Sequence, residues 1–305
     1  MKKDNIVLLI VLVSLGLKAQ NTMIEYKTIN IDGTEIFYRE AGDKNKPAIL
    51  LLHGFPSSSF MFRDLIPMLM EEYHLIAPDY PGFGQTKELP RAEFQYTFDN
   101  IARLIDKFTE SVGLKKYAMY VFDYGAPIGY RLAMWYPERI TAIISQNGNA
   151  YEEGLGTKWA DRKKYWDNPT PELRKKYKSA YDLATIKGQY TFGTPENSVA
   201  PDGYTLDFAY VHIGEREDIQ DDLIFDYQSN VRLYPVFQEY FRKSQVPLLA
   251  VWGKNDPSFI PQGASAFKKD LPNAEIHFVE SGHFALESHS KEIATLIKQF
   301  LNKIK

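Results

Sequence analysis

Hydrophobic positions change period along the chain, and the changes mark its elements. From Met23 to Arg39 apolar and polar residues alternate on either side of Asp32 and Gly33, as in Ile29-Asn30-Ile31 and Thr34-Glu35-Ile36-Phe37-Tyr38, which predicts a β-hairpin at the antiparallel edge of a sheet. Short apolar runs at Ala48 to Leu52, His74 to Pro78, Tyr117 to Phe122, Ile140 to Ser145, Pro247 to Trp252 and Ala274 to Val279 read as strands. Between them the period lengthens. Ser57 to Met70 is amphipathic, and Phe98 to Val112 places Ile101, Leu104, Ile105, Phe108 and Val112 at helical spacing before a C-capping Gly113. Further helices are expected from near Tyr124 to about Trp135 and from Ser288 to Ile304. Strands alternating with helices predict a mostly parallel, doubly wound α/β sheet.

The alternation stops after Asn149. From Ala150 to about Arg242 strand signals vanish, charge rises, and short amphipathic stretches such as Pro171 to Leu183 and Ile219 to Tyr240 take over. This predicts a helical cap over residues 150–242, inserted into a core built from residues 23–149 and 243–305. At the start of the chain, Met1-Lys2-Lys3 precedes an apolar run from Ile6 to Leu17 and a small residue, Ala19. That is the layout of a secretory signal peptide, residues 1–19, and the run is short for a membrane span. The expectation is an exported protein, periplasmic or secreted, with no stable membrane insertion once the signal is removed.

Composition narrows the function classes. A length of 305 residues with 44% hydrophobic content suffices for a large core plus an inserted domain. A net charge of −3, from 36 basic and 39 acidic residues, offers no electrostatic footprint for nucleic acid. With no cysteine there is neither a disulfide nor a thiolate metal site. No His-Glu-x-x-His motif occurs, the carboxylates from Asp218 to Asp222 read as a solvated helix start, and the Gly82-Phe83-Gly84 turn lacks dinucleotide-loop spacing. No cofactor or metal is therefore expected. Aromatic content of 14%, including 20 tyrosines, suits a ring-lined pocket for a small apolar substrate. Oligomeric state is left open.

Four segments carry the chemistry, and each follows an apolar strand. The run from Tyr117 to Ala133 reads as a strand, a sharp turn carrying Asp123, and a helix, with Gly125 and Ala126 small enough for the turn to close. Taken alone, Asp123 could equally be an N-cap. His53-Gly54-Phe55-Pro56, the Gly253 to Asp256 turn, and Ser281-Gly282-His283 supply further groups at carboxyl ends of strands, where an open α/β sheet holds its chemistry. A carboxylate at position 123 can attack an sp3 carbon to give an alkyl ester. His283 would then activate the water that cleaves it, with Asp256 orienting the imidazole.

On these motifs the chain, over roughly residues 26–303, resembles the α/β-hydrolase superfamily and its aspartate-nucleophile branch of epoxide hydrolases and haloalkane dehalogenases. The resemblance implies an α/β-hydrolase fold and an oxyanion hole from the backbone N–H groups of Phe55 and Tyr124. It implies His53 as a structural hydrogen-bonder. Epoxide hydrolases protonate the leaving oxygen with cap tyrosines, and the Ile224 to Asn230 stretch suggests Tyr227, with Tyr165 as its partner. Dehalogenases commonly hold the halide with a Trp after the nucleophile and an Asn after His-Gly; Tyr124 and Phe55 stand there instead, and Trp159 or Trp166 would have to substitute. Fluoroacetate dehalogenases place arginines directly after the nucleophile, which this chain lacks. Ser58, Ser145 and Ser281 are not at an elbow, which disfavours a serine esterase. Epoxide hydrolysis to a diol is the leading expectation, with haloalkane dehalogenation and a non-catalytic binding scaffold as alternatives.

Overall fold

The structure, a computed structural model, describes residues 23–304. The expected signal segment lies outside them. Eight strands form one sheet: β1 (Glu25–Ile31), β2 (Thr34–Ala41), β3 (Ala48–Leu52), β4 (His74–Pro78), β5 (Tyr117–Phe122), β6 (Ile140–Gln146), β7 (Leu248–Gly253) and β8 (Glu275–Val279). Their spatial order is β1-β2-β4-β3-β5-β6-β7-β8. The first two strands pair antiparallel through a turn in which Asp32 and Gly33 both take positive φ, 50° and 87°, as a two-residue hairpin of this hand requires. From β4 onward every pairing is parallel.

The central strands β4, β5 and β7 are buried along their whole length, which is why they read as unbroken apolar runs and not as alternating ones. Helices cover both faces. Before the sheet midpoint come α1 (Leu65–Leu69) and α2 (Phe98–Ser111); Thr97 caps α2 by accepting the Asn100 N–H, and Gly113 ends it at φ 79°. The amphipathic stretch from Ser57 resolves into a 3₁₀ turn, Ser59–Phe62, and the short α1, because its apolar residues pack two separate patches of the core.

Helix α3 (Gly125–Trp135) lies very close on the sheet. A Cβ on Gly125 would stand 2.2 Å from the Leu52 carbonyl oxygen, and one on Gly129 2.6 Å from Val121 Cγ1, so both positions need glycine for the approach.

Between β6 and β7 the chain leaves the sheet for five helices: α4 (Trp159–Asp167), α5 (Pro171–Lys176), α6 (Leu183–Thr191), α7 (Pro201–Val211) and α8 (Arg216–Ser244). The Asp218 to Asp222 cluster is not a solvated helix start. Asp221 is buried and accepts the Tyr181 hydroxyl, while Asp222 is bound by Arg91 and Arg174, so these carboxylates tie α8 to the rest of the insertion and to the core loop. After β7, α9 (Pro261–Ala266) precedes β8, and α10 (Ala285–Lys303) closes the chain. Helix α10 starts three residues before the expected Ser288. His289 departs from helical geometry (φ −127°, ψ 27°), so the regular periodicity is visible only beyond it.

Candidate active site

The strand β5 ends in a turn that forces Asp123 to φ 47°, a left-handed conformation rare for a residue with a Cβ. The turn is packed from the neighbouring loop by Gly54, where any Cβ would lie 2.4 Å from that of Asp123. A helix N-cap role for the Asp123 side chain does not fit the geometry. Tyr124 is the capping residue of α3, and the Asp123 carboxylate points across to the loop after β3, where Oδ1 accepts the Phe55 N–H at 2.8 Å. The carboxylate is thus half used, with Oδ2 left facing His283.

His283 follows β8. Its Nδ1 meets Asp256 Oδ2 at 2.7 Å, and its Nε2 lies 3.5 Å from Asp123 Oδ2. Asp256, in the turn after β7, is almost fully enclosed. Its Oδ1 accepts the Ser258 N–H at 2.7 Å and its Oδ2 also accepts from Asn147 Nδ2 at 2.7 Å. Asn147 stands at the end of β6 with φ 46° and takes the Gly253 N–H on its own Oδ1 at 3.0 Å, so it fastens the ends of β6 and β7 as it aligns the carboxylate. Nothing in the sequence pattern alone gave Asn147 a role in the site. Its place at the carboxyl end of the strand beside Asp256 was the available signal.

Burial of His283 opposes a charged ring, yet the charges of Asp256 and Asp123 and their hydrogen bonds outweigh it and raise the imidazole to about 10. His53 shows the opposite balance. It is fully buried, and desolvation lowers it to about 3, keeping it neutral. Its Nε2 accepts the Tyr80 N–H at 3.3 Å while its ring stacks on Tyr80 at 4.0 Å, so it braces the loop that carries Phe55.

Asp123 and His283 open onto a cavity of about 310 Å³, within the range of small-molecule sites. Phe55, Tyr124, Trp159, Tyr177, Ile224 and Phe259 give it an apolar, ring-rich wall, and Lys158, Asp161, Arg162 and Lys176 give it a charged one. The lining therefore mixes apolar rings with charged side chains.

The two expected tyrosines part company here. Tyr227, on α8, sits directly behind the ring wall, 4.6 Å from Trp159 and 5.9 Å from Tyr124 between ring centres, and close enough to Asp123 to sense its charge. Its hydroxyl is buried beside that of Tyr234 without closing a well-formed hydrogen bond. Tyr165 is not part of the cavity. It packs on Tyr177 at 5.2 Å and on Phe225 at 5.4 Å, with its phenol toward Arg174. The reason is position along the helix, not phase: Tyr165 shares the face of Lys158, Asp161 and Arg162 but stands one turn beyond the last two, outside the lining, where it meets Tyr177 and Phe225. Tyr177 lines the cavity in its stead.

Neither substitute halide donor is free. Trp159 Nε1 donates to the Ser258 carbonyl at 2.8 Å and Trp166 Nε1 to the Ile224 carbonyl at 3.1 Å.

The chain is 45% identical over 280 residues to a Saccharomyces cerevisiae protein named uncharacterized hydrolase YNR064C, covering 90% of this chain and 96% of that one. Its fold is similar to the haloalkane dehalogenase DbeA of Bradyrhizobium elkani (TM-score 0.78, 19% identity, 92% and 99% of the two chains). It is likewise similar to a proposed epoxide hydrolase of Pseudomonas aeruginosa (TM-score 0.77, 17% identity, 92% and 96%). At such identities the structural likeness speaks for the fold alone. Residues 47–290, from the approach to β3 into the last helix, match the family model described as alpha/beta hydrolase fold. With the eight-stranded sheet and its strand-end site, this chain belongs to the α/β-hydrolase family.

Proposed function

We propose that the protein is an epoxide hydrolase acting through an ester on Asp123. The observation that carries this reading is the character of the cavity's donors. Phenols reach or back the wall at Tyr124, Tyr177 and Tyr227, whereas the indole N–H groups of Trp159 and Trp166 are consumed by backbone carbonyls. A halide needs weakly acidic N–H donors. An opening oxirane needs a proton, which a neutral phenol can give.

With Oδ1 held by Phe55 N–H, Oδ2 of Asp123 is the attacking atom. It bonds to an oxirane carbon, the C–O bond breaks, and the departing oxygen takes a phenol proton from the tyrosines at the wall: Tyr124 and Tyr177 line the cavity, and Tyr227 stands directly behind Tyr124 and Trp159 with its hydroxyl beside that of Tyr234. The ester so formed removes the Asp123 charge, one of the two that hold the His283 proton. The ring releases that proton, which restores the phenol, and Nε2 becomes free to accept one from water. Water adds to the ester carbon, and the negative charge gathers on Oδ1, where the Phe55 N–H, joined by that of Tyr124, receives it. Collapse expels the diol as its oxygen takes the proton from His283, and the proton left on the Asp123 carboxyl passes to Nε2, which restores the starting carboxylate and imidazolium. The sum is one epoxide and one water giving one diol, with a small organic substrate and water as the only partners.

The test is His283→Ala, incubated with epoxide and haloalkane panels and weighed intact. An adduct of whole-epoxide mass on Asp123 supports ring opening. An alkyl adduct with free halide moves the assignment to dehalogenation. No adduct from either panel, with ligand binding still altered by Asp123→Asn, returns the protein to a binding scaffold. Export through residues 1–19 remains part of the proposal, and N-terminal sequencing of the mature protein from separated cell fractions checks it.

A further inference from the structure

Arg162 is the feature of the cavity that the chemistry above leaves unused. It is half-buried on α4, lines the cavity beside Trp159, and has no carboxylate within ion-pair distance among the described residues. Its neighbour Asp161 is already matched by Lys164 at 3.2 Å and Lys176 at 3.6 Å, and so does not neutralise it. The guanidinium lies 4.4 Å over the Trp159 ring, and Trp159 is itself pinned through its N–H to Ser258. Stacking of this kind holds the planar group by its face and leaves its edge donors available, the geometry in which arginine grips a carboxylate. Its charge reaches the phenols of both Tyr124 and Tyr177, two other lining residues.

We propose that the substrate of this site is an anionic epoxide, carrying a carboxylate that Arg162 binds while the oxirane lies over Asp123. The proposal rests on the epoxide reading. It adds a reason for the mixed lining: rings pack the apolar part of the substrate, and a cation receives its carboxylate. Bringing an anion beside Asp123 would otherwise be costly, and the His283 cation together with Arg162 offsets the repulsion. A purely structural arginine would need only its stacking on Trp159.

The experiment compares phenyloxirane with its para-carboxylate on wild type, Arg162→Met and Arg162→Lys, at low and high salt, with unfolding midpoints measured to confirm folding. Wild type should favour the carboxylate member. Arg162→Met should lower kcat/KM for that member by roughly ten- to a hundredfold, chiefly through KM, with a much smaller change for the neutral member. Arg162→Lys should restore part of the preference, and salt should erode it. Benzoate should inhibit wild type competitively and Arg162→Met far less. Equal losses on both epoxides, or a wild-type preference for the neutral one, overturn the role of Arg162 while leaving epoxide hydrolysis intact. If His283→Ala forms no adduct with either epoxide, both readings fall together.

Discussion

The strand-end half of the site and the α4–α8 half are built in different ways. Asp123, Asp256 and His283 each follow a parallel strand, and each is fixed by bonds that leave little freedom: Phe55 N–H on Asp123, Asn147 and Ser258 N–H on Asp256, Asp256 on His283. The opposite wall comes from one face of a short helix and the segment after α5, with contacts made mostly by ring packing and long charged side chains. The difference teaches where each property resides. In the proposed reaction, the positions for bond making belong to the sheet and the choice of substrate to the insertion.

Substitutions can break that division or sharpen it. The largest effect is expected at Asp123→Asn, which should abolish turnover by at least about 10³-fold, since an amide cannot form the ester; steady-state kinetics with mass analysis for a missing adduct checks it. Asp256→Asn should lower kcat by roughly 10²- to 10⁴-fold while ester still forms, so that the adduct accumulates in single-turnover runs. Tyr227→Phe should slow ester formation by about 10- to 100-fold and spare ester hydrolysis, whereas Tyr165→Phe should stay within about twofold on both steps. Equal losses from the two tyrosine variants would erase the distinction drawn from their placement.

The smallest effect is thermodynamic. The folded-state pKa of His283, about 10, lies above the ordinary 6.5, so its charged form favours the folded state. That contribution is complete below pH 6.5 and declines as pH rises toward 10, by at most about 1.4 kcal/mol per pH unit. Asp123→Asn removes one of the stabilising charges and should move the upper end of this window to lower pH. Urea unfolding midpoints across pH 6 to 10 give the comparison, and an unchanged profile in the variant would separate Asp123 from the imidazole's charge.

Legibility followed the same division. The core strands were visible because buried parallel strands are continuous apolar runs; β3 and β4 match their expected bounds. The inserted helices were legible only as a change of period. Pro171 to Leu183, read as one amphipathic stretch, is α5 followed by a 3₁₀ turn that ends at Tyr181. The 29 residues of α8 continue through Pro235, which sits on the exposed side while Tyr234 and Phe237 on the other are buried. The misplacement of Tyr165 has the same origin. Placing it needed to know how far along α4 the cavity reaches, which depends on how α4 packs on its neighbours and is not encoded in the local pattern.

What the amino-acid sequence determined by itself was therefore the order of elements and the identity of the groups at strand ends. There the direction of a side chain follows from local rules: a strand stops, a glycine-packed turn follows, and one residue is left above the sheet. Only the tertiary structure decided that Asn147 shares Asp256 with His283, that Trp159 and Trp166 have no N–H to spare, that Tyr227 stands behind the wall with its hydroxyl unbonded, and that Arg162 faces the cavity without a counter-ion. Each of these depends on which distant backbone carbonyl or carboxylate comes within about 3 Å of a side chain. That is set by how whole elements pack, and no run of neighbouring residues encodes it.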